Sequence, residues 1–413
     1  MENPHALLLL LSLLLLSLTL PSLQLKLDPL DLRALASIKN SLTDVPSRRS
    51  HPGFFSTWDF ASSDPCSTFS GVTCSSNGRV TTLTLGTGLA DSPGLAGSLS
   101  PDVSDLTELT QLILYPGIVT GAIPTQLGRL VNLRVISLTN NRLTGQIPVT
   151  LSLLTNLHTL DLSFNRLTGS IPPPLLRLPM LKVLILSSNS ISGDIPAVVS
   201  SQLLHLDFSN NKLTGQLPKQ LPSSLRYVSL AGNDLVGPIS GMDGTQLPDL
   251  VHLDLSMNHF SGALPASLFR TSLPSLFLQR NNLSGWVPSV EEDQRPSYGE
   301  GSVLDLSHNA LTGELSPVLA GVESLYLNNN RLIGTVPREY VKSVYVGTTR
   351  TLYLQHNYLS GFPVEPGSAL PDTVSLCLSY NCMVPPVGLA ACPSSAGTEL
   401  SRPASQCSVF NYG

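Results

Sequence analysis

Leucine recurs along most of this chain at spacings that fit short strands rather than amphipathic helices. Twelve units between Leu109 and Asn381 follow the pattern Leu-x-x-Leu-x-Leu-x-x-Asn-x-Leu-x-Gly-x-Ile-Pro, with substitutions. Two of the cleanest copies begin at Leu133 and Leu157. Leucines at the fourth and sixth places lie two residues apart, so they share one side of a strand while the residues around them face the other. Each unit therefore predicts one short strand with a buried face and an exposed face.

A repeat of this length predicts a solenoid, because one unit cannot bury its leucines alone and must stack on its neighbours. The expected fold is a curved α/β leucine-rich repeat solenoid, right-handed and poor in regular helix, with a parallel β-sheet on its concave face. Two long departures from the repeat, Ser289 to Gly301 and Arg338 to Thr348, are expected to loop out as tolerated surface insertions, although such loops sometimes bind partners.

Asparagine occupies the ninth place in eleven of the twelve units, whereas the first unit has Gly117 there. A buried amide needs hydrogen-bond partners, and stacked asparagines can bond the backbone of adjacent turns. We interpret them as a structural ladder rather than a binding site. The ladder residues are Asn141, Asn165, Asn189, Asn211, Asn233, Asn258, Asn281, Asn309, Asn330, Asn357 and Asn381.

The two ends of the chain differ from the repeats. Residues 1–25 contain an almost pure leucine run typical of a secretory signal, which predicts cleavage before Lys26; an uncleaved signal anchor is the alternative. Residues 26–79 are expected to form an N-terminal cap, 80–381 the repeats, and 382–413 a C-terminal cap with a polar tail. No later segment is apolar enough for a membrane span or a lipid-anchor signal, so we expect a secreted, soluble mature chain.

The segment Asp28-Pro29-Leu30-Asp31 predicts the start of a helix that covers the first coil. Asp28 suits the N-cap, Pro29 the first helical position, and Asp31 the carboxylate of a capping box.

Six cysteines occur only near the two ends, with none in the 302 residues between Cys74 and Cys377. This distribution predicts disulfides that stabilise the caps in an oxidising compartment. Cys66 should pair with Cys74. Three pairings are open to the last four cysteines, and we favour Cys382 with Cys392 and Cys377 with Cys407. A zinc site is disfavoured, because no close cysteine pair or nearby histidine is present.

Charge and motifs argue against several function classes. Net charge is −5 and only 12% of residues are charged, without a basic block, so nucleic acid is not an expected partner. Gly86 and Gly88 begin a dinucleotide-like pattern that Asp91 interrupts, and no catalytic motif, cofactor site or metal site is recognised. Four aspartates share the strand position between two leucines. They could form acid–base pairs or a calcium site, but we interpret them as the common spelling of the repeat: Asp161, Asp207, Asp254 and Asp305.

The Leu-Thr-Gly-x-Ile-Pro spelling, together with Trp58, the Asp64-Pro65-Cys66 segment and Cys74, resembles plant-type extracellular leucine-rich repeat proteins. Phe69 stands where that family has an aromatic residue between the two cysteines, and Asn381-Cys382 with Cys392 resembles its C-terminal cap. The resemblance covers about residues 27 to 392. Family members include receptor-kinase ectodomains, membrane-anchored receptor-like proteins and soluble polygalacturonase-inhibiting proteins. Without kinase or membrane segment this chain resembles the soluble branch, and the resemblance implies binding through the concave face.

The outward strand positions become aromatic and imidazole-rich in the second half, whereas earlier units offer mainly Ser, Thr, Asp, Val and Ile. We predict one contiguous ligand-binding patch here, since aromatic and arginine side chains favour binding hot spots. Scattered surface aromatics are the alternative. The patch comprises Phe277, Gln279, Arg280, His308, Tyr326, Tyr353, Gln355 and His356.

The resulting functional hypothesis is non-catalytic recognition of an extracellular protein, peptide or cell-wall polysaccharide, in defence or developmental signalling. Two alternatives are inhibition of a cell-wall-degrading enzyme and association with the membrane through a partner such as a receptor kinase. A structural wall protein would carry attachment tracts and an enzyme would need a convergent catalytic set, and neither is found. Asn282 begins the single Asn-x-Ser/Thr sequon, which predicts an exposed N-glycosylation site.

Overall fold

The computed structural model describes residues 26–46, 52–88, 94–198, 200–240, 242, 247–269, 273–291, 296–364, 369–386 and 392–408. The predicted signal segment and the last five residues lie outside the described residues, as does part of the Ser289 to Gly301 departure. No helix among the described residues is both long and apolar enough to cross a membrane.

Short strands dominate the structure. In chain order they are β1 Leu42–Asp44, β2 Val72–Cys74, β3 Val80–Leu85, β4 Leu95–Ser98, β5 Gln111–Leu114, β6 Ile118–Thr120, β7 Val135–Ser137, β8 Thr144–Gln146, β9 Thr159–Asp161, β10 Arg166–Gly169, β11 Val183–Ile185, β12 Ser190–Asp194, β13 His205–Asp207, β14 Lys212–Thr214, β15 Tyr227–Ser229, β16 Val236–Gly237, β17 His252–Asp254, β18 His259–Ala263, β19 Ser275–Phe277, β20 Asn282–Gly285, β21 Val303–Asp305, β22 Ala310–Glu314, β23 Ser324–Tyr326, β24 Arg331–Thr335, β25 Thr351–Tyr353, β26 Tyr358–Gly361 and β27 Ser375–Cys377.

Helices are few. The α-helices are α1 Pro29–Ser41, α2 Pro65–Thr68, α3 Arg338–Val346 and α4 Ala404–Cys407. Short 3₁₀ helices among the described residues are Phe54–Thr57, Pro101–Asp105, Thr125–Arg129, Val149–Leu153, Pro173–Arg177, Ala266–Phe269, Pro317–Leu319 and Ser394–Ala396.

Within the described part of the chain, the concave sheet has fourteen strands in the order β2-β3-β5-β7-β9-β11-β13-β15-β17-β19-β21-β23-β25-β27. All neighbours are parallel except β2 and β3, which are antiparallel. The pairing register aligns equivalent leucines of successive coils, as Leu184 aligns with Leu160 and Leu206. These leucines are almost fully buried, so the predicted leucine-rich repeat solenoid with a parallel concave sheet is confirmed.

A second row of strands, which the sequence did not predict, runs along the segment after each asparagine. It includes the sheets β8-β10-β12-β14 and β16-β18-β20-β22-β24-β26. Leu167 of β10 aligns with Gly145 of β8, because successive coils repeat the same backbone path and bring matching amide groups together. Gly145 has a φ of 79°, a conformation that glycine adopts without steric cost.

The asparagine ladder is confirmed. Asn165 Nδ2 donates to the carbonyl oxygens of Leu162 (3.1 Å) and Leu138 (2.9 Å), the second of which belongs to the preceding coil. Its Oδ1 accepts the backbone N–H of Leu143 at 3.0 Å. Each such amide therefore ties two coils together and satisfies backbone groups where the chain leaves the concave strand.

The N-terminal cap confirms one helix-start prediction and corrects another. Asp28 Oδ1 accepts the N–H of Leu30 at 2.7 Å, as an N-cap should. Asp31 does not complete a capping box. The Asp31 side chain is fully buried. Its carboxylate accepts hydrogen bonds from Arg79 Nη2 at 2.8 Å and from the backbone N–H of Val80 at 2.7 Å. The prediction failed because Arg79 lies 48 residues away in sequence and meets the helix only after folding.

All six cysteines form disulfides. The Cys66–Cys74 prediction is confirmed. The favoured C-terminal pairing was wrong: Cys377 pairs with Cys392, and Cys382 with Cys407. Residues 392–408 fold over the last coil, where Ser401 bridges to Asn381. This crossing brings Cys392 to the buried Cys377 on β27, while α4 returns Cys407 to Cys382.

The departure at Arg338 is not a surface loop. It forms α3, which buries Tyr340, Val341 and Val344 in the core. Tyr340 is fully buried, and its hydroxyl donates to the backbone oxygen of Ser316. The insertion therefore replaces a 3₁₀ turn as packing for the coil, which the sequence spacing alone did not reveal.

Candidate recognition face

The structure aligns the predicted aromatic residues in one row of the concave sheet. Phe277 aligns with Asp305, Asp305 with Tyr326, and Tyr326 with Tyr353, on four consecutive strands. The rings of Tyr326 and Tyr353 meet edge to face, with centroids 5.3 Å apart. Three of the predicted residues thus form an aromatic row, which we define as Phe277, Tyr326 and Tyr353.

Asp305 lies within this row and was omitted from the predicted patch. Its Oδ1 accepts the backbone N–H of Ser307 at 2.9 Å. Burial raises the pKa of the Asp305 carboxyl, while the Ser307 hydrogen bonds, His308 and Arg280 lower it. The patch therefore has a half-buried carboxylate between Phe277 and Tyr326. The repeated Leu-Asp-Leu spelling concealed this position in the sequence.

Arg280 and His308 lie on the rim beside the row, at the residue before each ladder asparagine. They have φ values of 59° and 55°, in the left-handed region that favours glycine and asparagine. Other units hold residues such as Asn140, Phe164 and Met257 there in the same conformation, so this backbone geometry belongs to the repeat.

The far end of the predicted patch is engaged by the C-terminal cap. His356 Nε2 lies 3.0 Å from the backbone oxygen of Ala396. Gln355 is 3% exposed, and its Oε1 has no hydrogen-bond partner among the described residues, as is also true of Gln279 Oε1. The structure thus keeps Gln355 and His356 beside Tyr353, with Gln355 buried and His356 half-buried against the cap, and their contact with a ligand stays a prediction.

A second aromatic column was missed. His205, Tyr227 and His252 occupy the third place of three consecutive units, and their rings stack with centroids 4.1 and 4.2 Å apart. Phe277, at the fifth place of the next unit, lies diagonally across from His252, with ring centroids 5.6 Å apart. Comparison of the third places of successive units would have revealed it. The aromatic character of the face therefore begins three coils before Phe277.

The stacked histidines give the fold an expected pH dependence. Burial lowers the pKa of His205 and of His252, with nearby aspartates opposing the shift. The unfolded chain then binds protons more readily than the folded chain, so stability is full above about pH 6.5 and falls as pH decreases toward the folded pKa values. Replacing both histidines by glutamine should make the melting temperature less dependent on pH between about pH 7.5 and pH 5. Thermal melts of both proteins across this pH range test the prediction, and an unchanged slope of melting temperature against pH would contradict it.

The regular aspartates do not form catalytic pairs. Asp207 and Asp254 both align with Ser229, so one complete strand separates them. Among the described residues no group of three or more His, Cys, Asp or Glu side chains is arranged to hold a metal ion. The face therefore offers aromatic surface and hydrogen-bonding groups suited to recognition.

Asn282 is exposed on β20, outside the concave sheet, and aligns with Ser261 of β18. The expected outward orientation of the sequon is confirmed. Glycosylation itself stays a prediction.

Comparison with known proteins agrees with this architecture. Residues 28–75 match the leucine rich repeat N-terminal domain, and the leucine rich repeat model matches 132–154, 156–178, 180–201, 202–223 and 249–270. A curated relative, the DNA damage-repair/toleration protein DRT100 of Arabidopsis thaliana, is 36% identical over 121 residues, which span 27% of this chain and 31% of the relative.

Solved structures extend the similarity. The plant peptide hormone receptor RGFR1, in complex with RGF2, is 29% identical with a TM-score of 0.59, covering 70% of this chain and 46% of the receptor chain. The ectodomain of the receptor kinase GASSHO1/SCHENGEN3 from Arabidopsis thaliana, in complex with CASPARIAN STRIP INTEGRITY FACTOR 2, is 29% identical with a TM-score of 0.67. The match covers 85% of this chain and 44% of the receptor chain. A plant ice-binding protein is 29% identical with a TM-score of 0.57, and the match covers 83% of this chain and 99% of the ice-binding protein. The chain thus spans less than half the length of both receptor chains.

Proposed function

We propose that this protein is a secreted, non-catalytic recognition protein that binds an extracellular peptide or protein through its concave face. The proposal is supported by its leucine-rich repeats and by its similarity to solved plant receptor ectodomains. The aromatic row Phe277, Tyr326 and Tyr353 carries the proposal. Aromatic side chains gathered within four consecutive strands provide a large contact area at a low entropic cost. The three disulfides support an oxidising, extracellular setting.

The rim supports the same face. The Arg280 charge lowers the pKa of the Asp305 carboxyl, and burial lowers the pKa of the neighbouring His308, so the aromatic row has a polar border with one positive charge. Directional hydrogen bonds from such a border give a ligand orientation, and the rings supply its buried area.

Replacing Phe277, Tyr326 and Tyr353 together by alanine should abolish ligand capture while thermal unfolding stays cooperative. The immobilised secreted chain would be incubated with plant extracellular fluid, and bound peptides and proteins identified by mass spectrometry. Loss of one hot-spot aromatic costs about 2 kcal/mol or more, so three should remove binding at any practical concentration.

The matched control replaces Ser137 and Asp161, at the same strand position in the first half. It should retain the captured partners. Capture that survives the triple substitution but disappears in this control would place the site in the first half of the array.

Ice binding is a second candidate function, because the match to the solved plant ice-binding protein covers 99% of that protein's length. Inhibition of ice recrystallisation by the purified chain, unchanged by the triple substitution, would support it over ligand recognition.

A further inference from the structure

Three side-chain amides run beside the aromatic row, and we propose that they bind the main chain of an extended peptide. We define the amide column as Gln279, Asn328 and Gln355. This assignment rests on the proposed function, because it names the ligand group that is bound by one part of the same face.

The amide column follows the aromatic row coil by coil. Each of its members lies two residues after one member of the aromatic row, at the seventh place of the same unit. From the second unit on, the remaining units carry serine, threonine or alanine at that place. Amides at the seventh place thus occur only in units whose fifth place is aromatic. Residues two places apart in extended backbone point to the same side, so each ring and its amide share the concave face.

Backbone hydrogen bonds align the seventh places of these coils. In each case the N–H after one seventh place donates to the carbonyl oxygen of the next: Arg280 to Ser307 (3.1 Å), His308 to Asn328 (3.0 Å) and Asn329 to Gln355 (3.0 Å). The amide column therefore runs across the strands, parallel to the aromatic row.

Two of the amides have an unused acceptor. Gln279 Oε1 and Gln355 Oε1 are buried, and no described residue donates a hydrogen bond to either. The whole Gln355 side chain is 3% exposed. A buried acceptor without a partner destabilises a protein, so native structures pair nearly all of them. The amide column therefore retains two acceptors for which the described chain supplies no donor.

The aspartate units bond these two places to each other. Asp254 Oδ1 accepts the N–H of Ser256 at 3.0 Å and its hydroxyl at 2.6 Å. In the units of the aromatic row, the described side chains at the fifth and seventh places form no such bond, and the Tyr353 hydroxyl instead lies 3.2 Å from Ser375 Oγ. The amides are therefore available to an outside partner.

Spacing suits an extended peptide. Three strand intervals separate the coil of Gln279 from that of Gln355, or about 14 Å. Four residues of an extended chain cover about 13 Å. Successive residues of such a chain direct their N–H groups to alternate edges, so residues four apart direct theirs to the same edge. One edge of a peptide lying over the aromatic row can thus donate to both acceptors while its side chains pack on the rings.

The amides can turn toward such a ligand. The terminal torsion of glutamine is broad, so the oxygen changes direction while the backbone stays in place. Gln279 is half-buried, so it is the more accessible of the two. Asn328 lies between the glutamines, and its side-chain nitrogen can donate to a carbonyl group on the same edge of the peptide.

The test uses peptides selected from a displayed library of random linear peptides on the full secreted chain. Gln279→Met and Gln355→Met remove the amide but keep a side chain of similar length. Each should weaken the binding of the selected peptides by about tenfold, because one hydrogen bond is lost. The melting temperature of each free variant should not fall, since the substitution also removes an unpaired buried acceptor.

A second measurement examines the peptide itself. N-methylation of single backbone nitrogens in a selected peptide removes one N–H donor at a time. Binding should be lost at two residues that lie four apart and retained at the residue next to each, because neighbouring N–H groups point to opposite edges. The matched control is Gln216→Met, at an exposed glutamine outside the concave sheet, which should retain both binding and melting temperature.

Unchanged binding by Gln279→Met and Gln355→Met, or binding that is insensitive to N-methylation, would overturn the inference. Weakened binding together with a lower melting temperature would assign the amides to the fold, and preferential binding of neutral oligosaccharides would assign them to a different ligand class; either result overturns it as well. If the selected peptides still depend on the aromatic row, the proposed function stands without the amide column. A library without binders would overturn both.

Discussion

Replacing Asn233 by alanine should lower the free energy of unfolding by about 1–3 kcal/mol. The Asn233 amide donates to the backbone oxygens of Phe208, Leu230 and Ala231 at 3.0–3.3 Å. Its Oδ1 accepts the N–H of Leu213 at 3.0 Å. The side chain is 6% exposed, so water replaces these bonds poorly. Denaturant unfolding of the purified variant measures the loss.

Asp234 provides the adjacent control. It is exposed, and its carboxylate lies 3.8 Å from His259 Nε2 in a pair that is also exposed. Replacing Asp234 by alanine should change stability by less than about 0.5 kcal/mol. Equal losses at the two positions would refute the ladder as a stabilising element.

Replacing Arg79 by alanine should cost about 3–5 kcal/mol, because it leaves the Asp31 carboxylate buried without its counter-charge. Arg79 Nη2 lies 2.8 Å from Asp31 Oδ1, and Nε donates to the same carboxylate at 3.1 Å. Asp31 is fully buried, and the pair joins α1 to the first parallel strand of the concave sheet. The expected result is early unfolding of the N-terminal cap, measured by thermal melts and by hydrogen exchange of α1.

Two variants make this test specific. Arg33→Ala removes an exposed arginine from the same helix and should cost less than about 0.5 kcal/mol. Combining Arg79→Ala with Asp31→Asn should recover part of the loss, since no uncompensated charge remains. A double variant as unstable as Arg79→Ala alone would show that lost packing, rather than the buried charge, causes the effect.

The sequence by itself determined the coil and its regular features. Leucine spacing dictated which side of each strand is buried, and the ninth-place asparagine dictated the ladder, because both depend on contacts that every unit repeats. The same regularity assigns Phe277, Tyr326 and Tyr353 to equivalent places of their units, and the strand register aligns them in one row.

Only the tertiary structure decided the contacts that occur once. Asp31 with Arg79 and Cys377 with Cys392 join segments that meet after the caps fold over the end coils, where the repeat gives no register. Repeating contacts follow from local spacing, whereas unique contacts depend on how distant segments pack.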